Sequence, residues 1–183
     1  MLIGASELRT MTPAQHGVYD AIASGPRKDV PLPFLAMLDV PHLADSIQSV
    51  GSAIRFSGSL SDEYREVAIL SAAAAFGSGY EWNYHEKIAL ELGMGPEWIQ
   101  ACRSGDTSAI EDASVKGIIE LCWGAVRDRK VPLDALASLT RLIGRSGASE
   151  VVAISGYYPL LALFLSAGEL DTEIRPVQAA EPG

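Results

Sequence analysis

The sequence predicts an all-α fold, a single domain built as a helical bundle. Three observations carry that expectation. No clean period-2 run bounded by a two-residue turn occurs in the 183 residues, so strand signals are scarce. Apolar residues recur instead at spacings of three and four, between capping residues and Gly or Pro stops. Apolar residues make up 48% of the chain and charged ones 20%, a composition that can bury a core without disulfide or metal staples.

The elements follow in order. Thr12 and Pro13 open a first helix to about Ala23, as N-cap and first helical residue. Gly25, Pro26 and the Pro31-Leu32-Pro33 stretch read as an irregular connection, with a short helix at 34–38. Pro41 starts a longer helix to about Phe56, on which Leu43, Ile47, Val50 and Ile54 trace one apolar face. Ser61 caps a helix from Asp62 to about Phe76, with acids in the first turn where the helix dipole favours them. Its centre is apolar nearly all round, so it should be buried on most sides. Gly77-Ser78-Gly79 breaks it, and 80–92 forms the next helix, stopped by Gly93. Helices over 96–102, 110–128, 132–143 and 149–167 complete the bundle. Three segments result: an N-terminal arm and first helix at 1–30, the helical domain at 31–168, and a tail at 169–183 that could wander or cross a partner subunit.

Charge and apolarity exclude several functions. The formal charge is −9, from 23 acids against 14 bases, which argues against nucleic acid. The first ten residues have no charged region followed by an apolar stretch, so no signal peptide is expected. The most apolar segment, 151–165, is short of the roughly 20 residues that span a bilayer. Cys102 and Cys122 have neither disulfide-framework nor zinc-motif spacing, and a cytoplasmic location fits.

Candidate chemistry gathers on two adjacent helices. Glu66 stands on an apolar helix face with Leu70 and Ala74. A carboxylate there either faces solvent at the helix end or is partly buried with a partner. The next helix carries Tyr80, Glu81, Trp82, Tyr84 and His85. Glu81 and His85 are four apart, so they share a face and can touch. An acid, aromatics and an imidazole on one helix could build a proton-transfer site. Surface Glu–His pairs at this spacing are also common and usually mean little. Two such groups are an incomplete metal set, and no metal site is expected.

Leu60-Ser61-Asp62-Glu63-Tyr64-Arg65-Glu66-Val67-Ala68-Ile69-Leu70, then Tyr80-Glu81-Trp82-Asn83-Tyr84-His85 and Gly93, resembles the carboxymuconolactone decarboxylase family. That family also contains the alkylhydroperoxidase D-like proteins. Glu150-Val151-Val152 and Gly156-Tyr157-Tyr158 look like its pattern too. The resemblance implies an all-α bundle and a homo-oligomer, a trimer, dimer or hexamer. In the family's peroxidase branch a Cys-x-x-Cys pair precedes the motif histidine, and a glutamate on the preceding helix relays protons. Those positions fall on Ser78, Glu81, His85 and Glu66 here. Both thiols are absent, so thiol peroxidase chemistry is not carried over.

The decarboxylase branch resembles this chain at Glu81 and His85. Its chemistry needs no cofactor: a γ-lactone acid loses carbon dioxide and a proton passes through an enol or dienolate. The resemblance therefore implies His85 as proton donor, Glu81 as its orienting partner, and Glu66 beside them. Tyr80, Trp82, Tyr84, Arg65 and Tyr158 are the candidate substrate-binding residues. Arg65 or Arg55 could meet an acidic substrate, and Arg55 reads more readily as a surface salt-bridge partner. The function expected is a cofactor-independent lyase or isomerase acting on a small lactone, enol or aromatic-derived acid. The alternative is a non-catalytic ligand-binding or structural oligomer that keeps the fold.

Overall fold

The computed structural model describes residues 3–5 and 8–174. A 3-10 turn at Leu8–Thr10 precedes eight α-helices: α1 (Pro13–Ala23), α2 (Leu32–Ala36), α3 (Pro41–Phe56), α4 (Asp62–Phe76), α5 (Gly79–Glu91), α6 (Pro96–Ser104), α7 (Ala113–Asp128) and α8 (Leu133–Ala167). No strand occurs among the described residues.

The centre is α4, which packs against α5, α6, α7 and α8. Its residues from Glu66 to Ala73 are all buried, as an all-round apolar helix demands. Ser61 caps its start by accepting from the Tyr64 amide. Gly77 ends it in the left-handed region (φ 91°), and the Gly77 and Ser78 amides return to carbonyls of α4's last turn. The chain therefore reverses within two residues, and α5 runs back along α4.

Several local expectations shift. The short helix α2 begins at Leu32 rather than 34, because Pro33 in the first turn needs no amide donor. The helix expected from 110 starts at Ala113, because the Asp112 side chain caps the Ser114 and Val115 amides. The last two helices run together as α8 and are broken at Gly144 (φ 75°). On α3 the buried face is Ala44, Gly51 and Ile54, while Leu43 and Val50 are exposed. Small residues let α3 lie close to its neighbours, so the core-facing stripe is rotated from the one the large apolar residues suggest.

Helix α8 is the one helix among the described residues long and apolar enough to cross a membrane. In this structure it packs against α4, α7 and α2, and Pro159 lies within it.

The described end of the tail, 171–174, lies on the start of α5. Asp171 Oδ1 accepts from the Tyr80 amide at 2.9 Å and from the Ser78 hydroxyl at 3.2 Å. It thus supplies the side-chain cap that Ser78 does not provide. A Cβ on Gly79 would collide with the Thr172 carbonyl, so only glycine admits this crossing. Residues 175–183 lie outside the described residues.

Candidate active site

The α4–α5 reversal brings Glu66 and His85 into direct contact, with His85 Nδ1 at 2.7 Å from Glu66 Oε2. From α8, the Tyr158 hydroxyl lies 3.2 Å from His85 Nε2. All three side chains are buried. One assignment satisfies both contacts: Nδ1–H donates to Glu66, and Nε2 accepts from the Tyr158 hydroxyl. Burial holds the Tyr158 phenol well above its ordinary range, with the Glu81 and Glu66 carboxylates adding to the effect. It therefore keeps its proton as a donor.

Glu81 completes the set from one turn earlier on α5. Its Oε2 lies 3.9 Å from His85 Nε2, and its Oε1 is buried with no hydrogen-bond partner among the described residues. Burial first, and then the Asp171 carboxylate, pushes the Glu81 carboxyl up to about 8. Arg55 and Arg27 oppose that rise without cancelling it. At neutral pH Glu81 is mostly a carboxylic acid with a proton to give.

These groups open on a narrow cleft, in which about 20 Å³ admits the centre of a water molecule. Tyr80, Tyr84, Arg27 and Arg55 form its sides, and Tyr157 and Tyr158 line it from α8. Tyr80 is held by the Leu32 amide, which donates to its hydroxyl at 3.2 Å. Arg27 donates to the Ser52 hydroxyl at 2.6 Å and lies 5.0 Å above the Phe34 ring. Arg55 lies 5.2 Å from the Phe56 ring and 5.6 Å from the Tyr84 ring. Gly51 makes room for this corner, since a Cβ there would meet the Tyr157 hydroxyl and the Arg27 guanidinium.

The structure thus gathers Glu66, Tyr80, Glu81, Tyr84, His85 and Tyr158 as the sequence suggested, and it places two expected residues elsewhere. Arg65 pairs with Asp62 at the start of α4 and does not line the cleft. It is one position from Glu66 on the helix and so points about 100° away. Trp82 is fully buried in the core, with the Arg103 guanidinium 5.8 Å from its ring. Being next to Glu81, it occupies the adjoining core face. Arg27 and Tyr157 also line the cleft, and Arg55 faces it instead of a surface partner. Arg55 follows Ile54, so the rotated α3 face would have revealed it. Arg27 sits in the irregular connection after α1, where no periodicity points anywhere.

The cysteines stand apart from this site. Cys102 and Cys122 are free and buried, and burial pushes both thiols up to about 12. A protonated, inaccessible thiol is a poor nucleophile. Among the described residues, no group of three or more His, Cys, Asp or Glu side chains could hold a metal ion.

The carboxymuconolactone decarboxylase family model matches residues 41–121. Over these helices the chain is a partial match to that family. The matched stretch holds Arg55, Glu66, Glu81 and His85, while Arg27, Tyr157 and Tyr158 come from outside it. The chain is also similar to a solved structure of the debrominase Bmp8, a Cys-to-Ala variant in complex with 2,3,4-tribromopyrrole. The TM-score is 0.73 at 16% identity, over 92% of this chain and 90% of that one. At that identity the likeness is one of fold, and the all-helical bundle of the alkylhydroperoxidase D-like type is what the chain adopts. No curated protein matches the chain by sequence.

Glu81 gives a stability prediction with a definite sign. Its carboxyl titrates higher in the folded chain than the ordinary carboxylate value, so the native state holds the extra proton. The stability this contributes is full below the ordinary carboxylate range and is lost as pH rises through about 8. Glu81→Gln cannot ionise. Between about pH 5 and about pH 9 its melting temperature should therefore fall less than that of the wild type. Parallel melting curves across that window would show that Glu81 is already ionised in the native state.

Proposed function

We propose that the chain is a cofactor-independent lyase or isomerase that moves a proton on a small lactone, enol or aromatic-derived acid. One observation carries this reading: a buried Glu66–His85–Tyr158 hydrogen-bonded chain meets a cleft at the protonated Glu81. His85 is the proton shuttle. Glu66 fixes its ring and tautomer, as a carboxylate on Nδ1 does. Glu81 supplies a proton at the cleft, and the Tyr158 hydroxyl hydrogen-bonds His85 Nε2 and can stabilise negative charge as it develops. Tyr80 and Tyr84 form the walls. The family match over 41–121 supports the same reading.

Incubation with γ-lactone and enol acids in deuterated water tests it. Wild-type protein should place deuterium on a substrate or product carbon, and His85→Gln should not. Equal exchange by both proteins, or none by the wild type across such acids, would count against acid–base catalysis. The narrowness of the cleft favours a second reading, a structural hydrogen-bond network in a non-catalytic oligomer.

We further propose a cytoplasmic homo-oligomer with a small molecule as ligand, and with neither nucleic acid nor membrane as partner. Glu66 to Ala73 of α4 are buried within the chain, which leaves only Phe76 at its end exposed as a large apolar residue. Leu133, Leu142 and Leu163 on α8, and Leu43 and Val50 on α3, are exposed and available. Light scattering at micromolar concentration should give a multiple of the 19.4 kDa chain. A monomer would refute the assembly.

A further inference from the structure

Arg27 and Arg55 bring two cations to one cleft. Neither guanidinium has a carboxylate within salt-bridge distance among the described residues. Both are half-buried and both face the cleft. Each is held by neutral partners. Arg27 has the Ser52 hydroxyl and the Gln48 carbonyl, and both guanidinium groups rest against the Phe56 ring. Two like charges brought together in a partly desolvated place repel, and Arg55 helps to lower the Arg27 pKa, after burial. The Arg55 pKa is raised despite its burial, with Tyr158, Tyr84 and Glu66 favouring the charge. Two guanidinium groups that stay charged and face one cleft can hold an anion between them. A second observation points to the same space: Glu81 lines the cleft, and its buried Oε1 has no hydrogen-bond partner among the described residues.

We propose that Arg27 and Arg55 form a seat for a carboxylate that the ligand keeps through the reaction, so that the ligand is a small conjugated carboxylic acid anion. The seat does not suit a carboxylate that is to leave as carbon dioxide. Two guanidinium groups would stabilise that carboxylate in the ground state and lose the interaction as its charge departs, which raises the barrier. A carboxylate held there is a spectator. It orients the ligand so that its unsaturated body extends toward Glu81 and His85, where the proton moves. A reaction that does expel carbon dioxide at this site then requires a second carboxylate on the substrate. A substrate with a single carboxylate undergoes proton transfer only. The inference rests on the acid–base reading for the placement of the reacting atoms, but the seat itself is tested by binding alone.

Benzoate, and benzamide as its neutral counterpart, are the probes, titrated calorimetrically at neutral pH. Benzoate should bind at least about 10-fold more tightly than benzamide, the usual weight of charge-assisted hydrogen bonds. Arg27→Met and Arg55→Met keep the apolar stem and lose the charge, and each should weaken benzoate about 10-fold or more. Arg141→Met on the exposed face of α8 should leave binding unchanged. Arg27→Lys and Arg55→Lys keep the charge without the fork and should fall between, which guards against a variant that folds poorly. Binding of benzoate should survive in His85→Gln, so loss of the seat and loss of the proton shuttle are separately visible. Equal affinity for the two probes, no benzoate binding by the wild type, or unchanged binding in both methionine variants would overturn the proposal.

Discussion

His85→Gln should lower turnover of a lactone or enol acid by about 10²–10⁴-fold, the usual contribution of a positioned acid–base group. Gln keeps hydrogen-bonding groups of similar reach, so contacts to Glu66 and Tyr158 can persist at 85 while proton transfer cannot. The melting temperature should therefore move little. Steady-state kinetics and thermal melts on the same preparations give both numbers. Cys102→Ser and Cys122→Ser should leave turnover within a few-fold, because both thiols are buried away from the cleft. Full activity in His85→Gln would remove the proposed chemistry. Loss of activity in folded cysteine variants would revive a thiol mechanism. Unfolding of His85→Gln would favour the structural network.

Trp82→Ala should cost roughly 3–5 kcal/mol of stability, as large-to-small changes do at a fully packed aromatic. The indole has no exposed surface and belongs to the main core. Chemical denaturation of wild type and variant gives the difference. A substrate-contacting aromatic on a cleft wall behaves differently: Tyr84→Phe should leave stability nearly unchanged. A loss below about 1 kcal/mol for Trp82→Ala would mean that the site around α5 is far looser than its packing indicates.

Most of the fold was legible because its helices obey local rules. Thr12, Ser61, Gly77 and Pro96 mark boundaries through capping, left-handed geometry and missing donors, and the structure uses each of them so. The Glu66–His85 contact was legible too. A glycine-bounded break between two helices returns the chain on itself within a few residues, and spacing then decides which side chains meet. What was not legible depends on tertiary packing. The large apolar residues of α3 point to a different face from the one it buries, because Ala44 and Gly51 permit close approach. Arg55 stands beside that buried face and so has no periodic mark of its own. The resemblance points to Trp82 and Arg65 as cleft residues, but each is one position from a glutamate of the site, and adjacent helical residues diverge by about 100°. Arg27 lies in a connection whose course is set only by what α1 and α3 pack against. The role of Asp171 belongs to the same class, since a cap supplied from 91 residues away leaves no local trace.

The account turns on a carboxylic acid that keeps its proton at neutral pH beside an imidazole held by a second carboxylate. Carbon-13 titration of the Glu81 side-chain carboxyl, assigned by its disappearance in Glu81→Gln, measures this without any substrate. The predicted midpoint is about 8. A midpoint in the ordinary carboxylate range would leave the cleft with a charged Glu81 and no proton to donate, and would contradict the account.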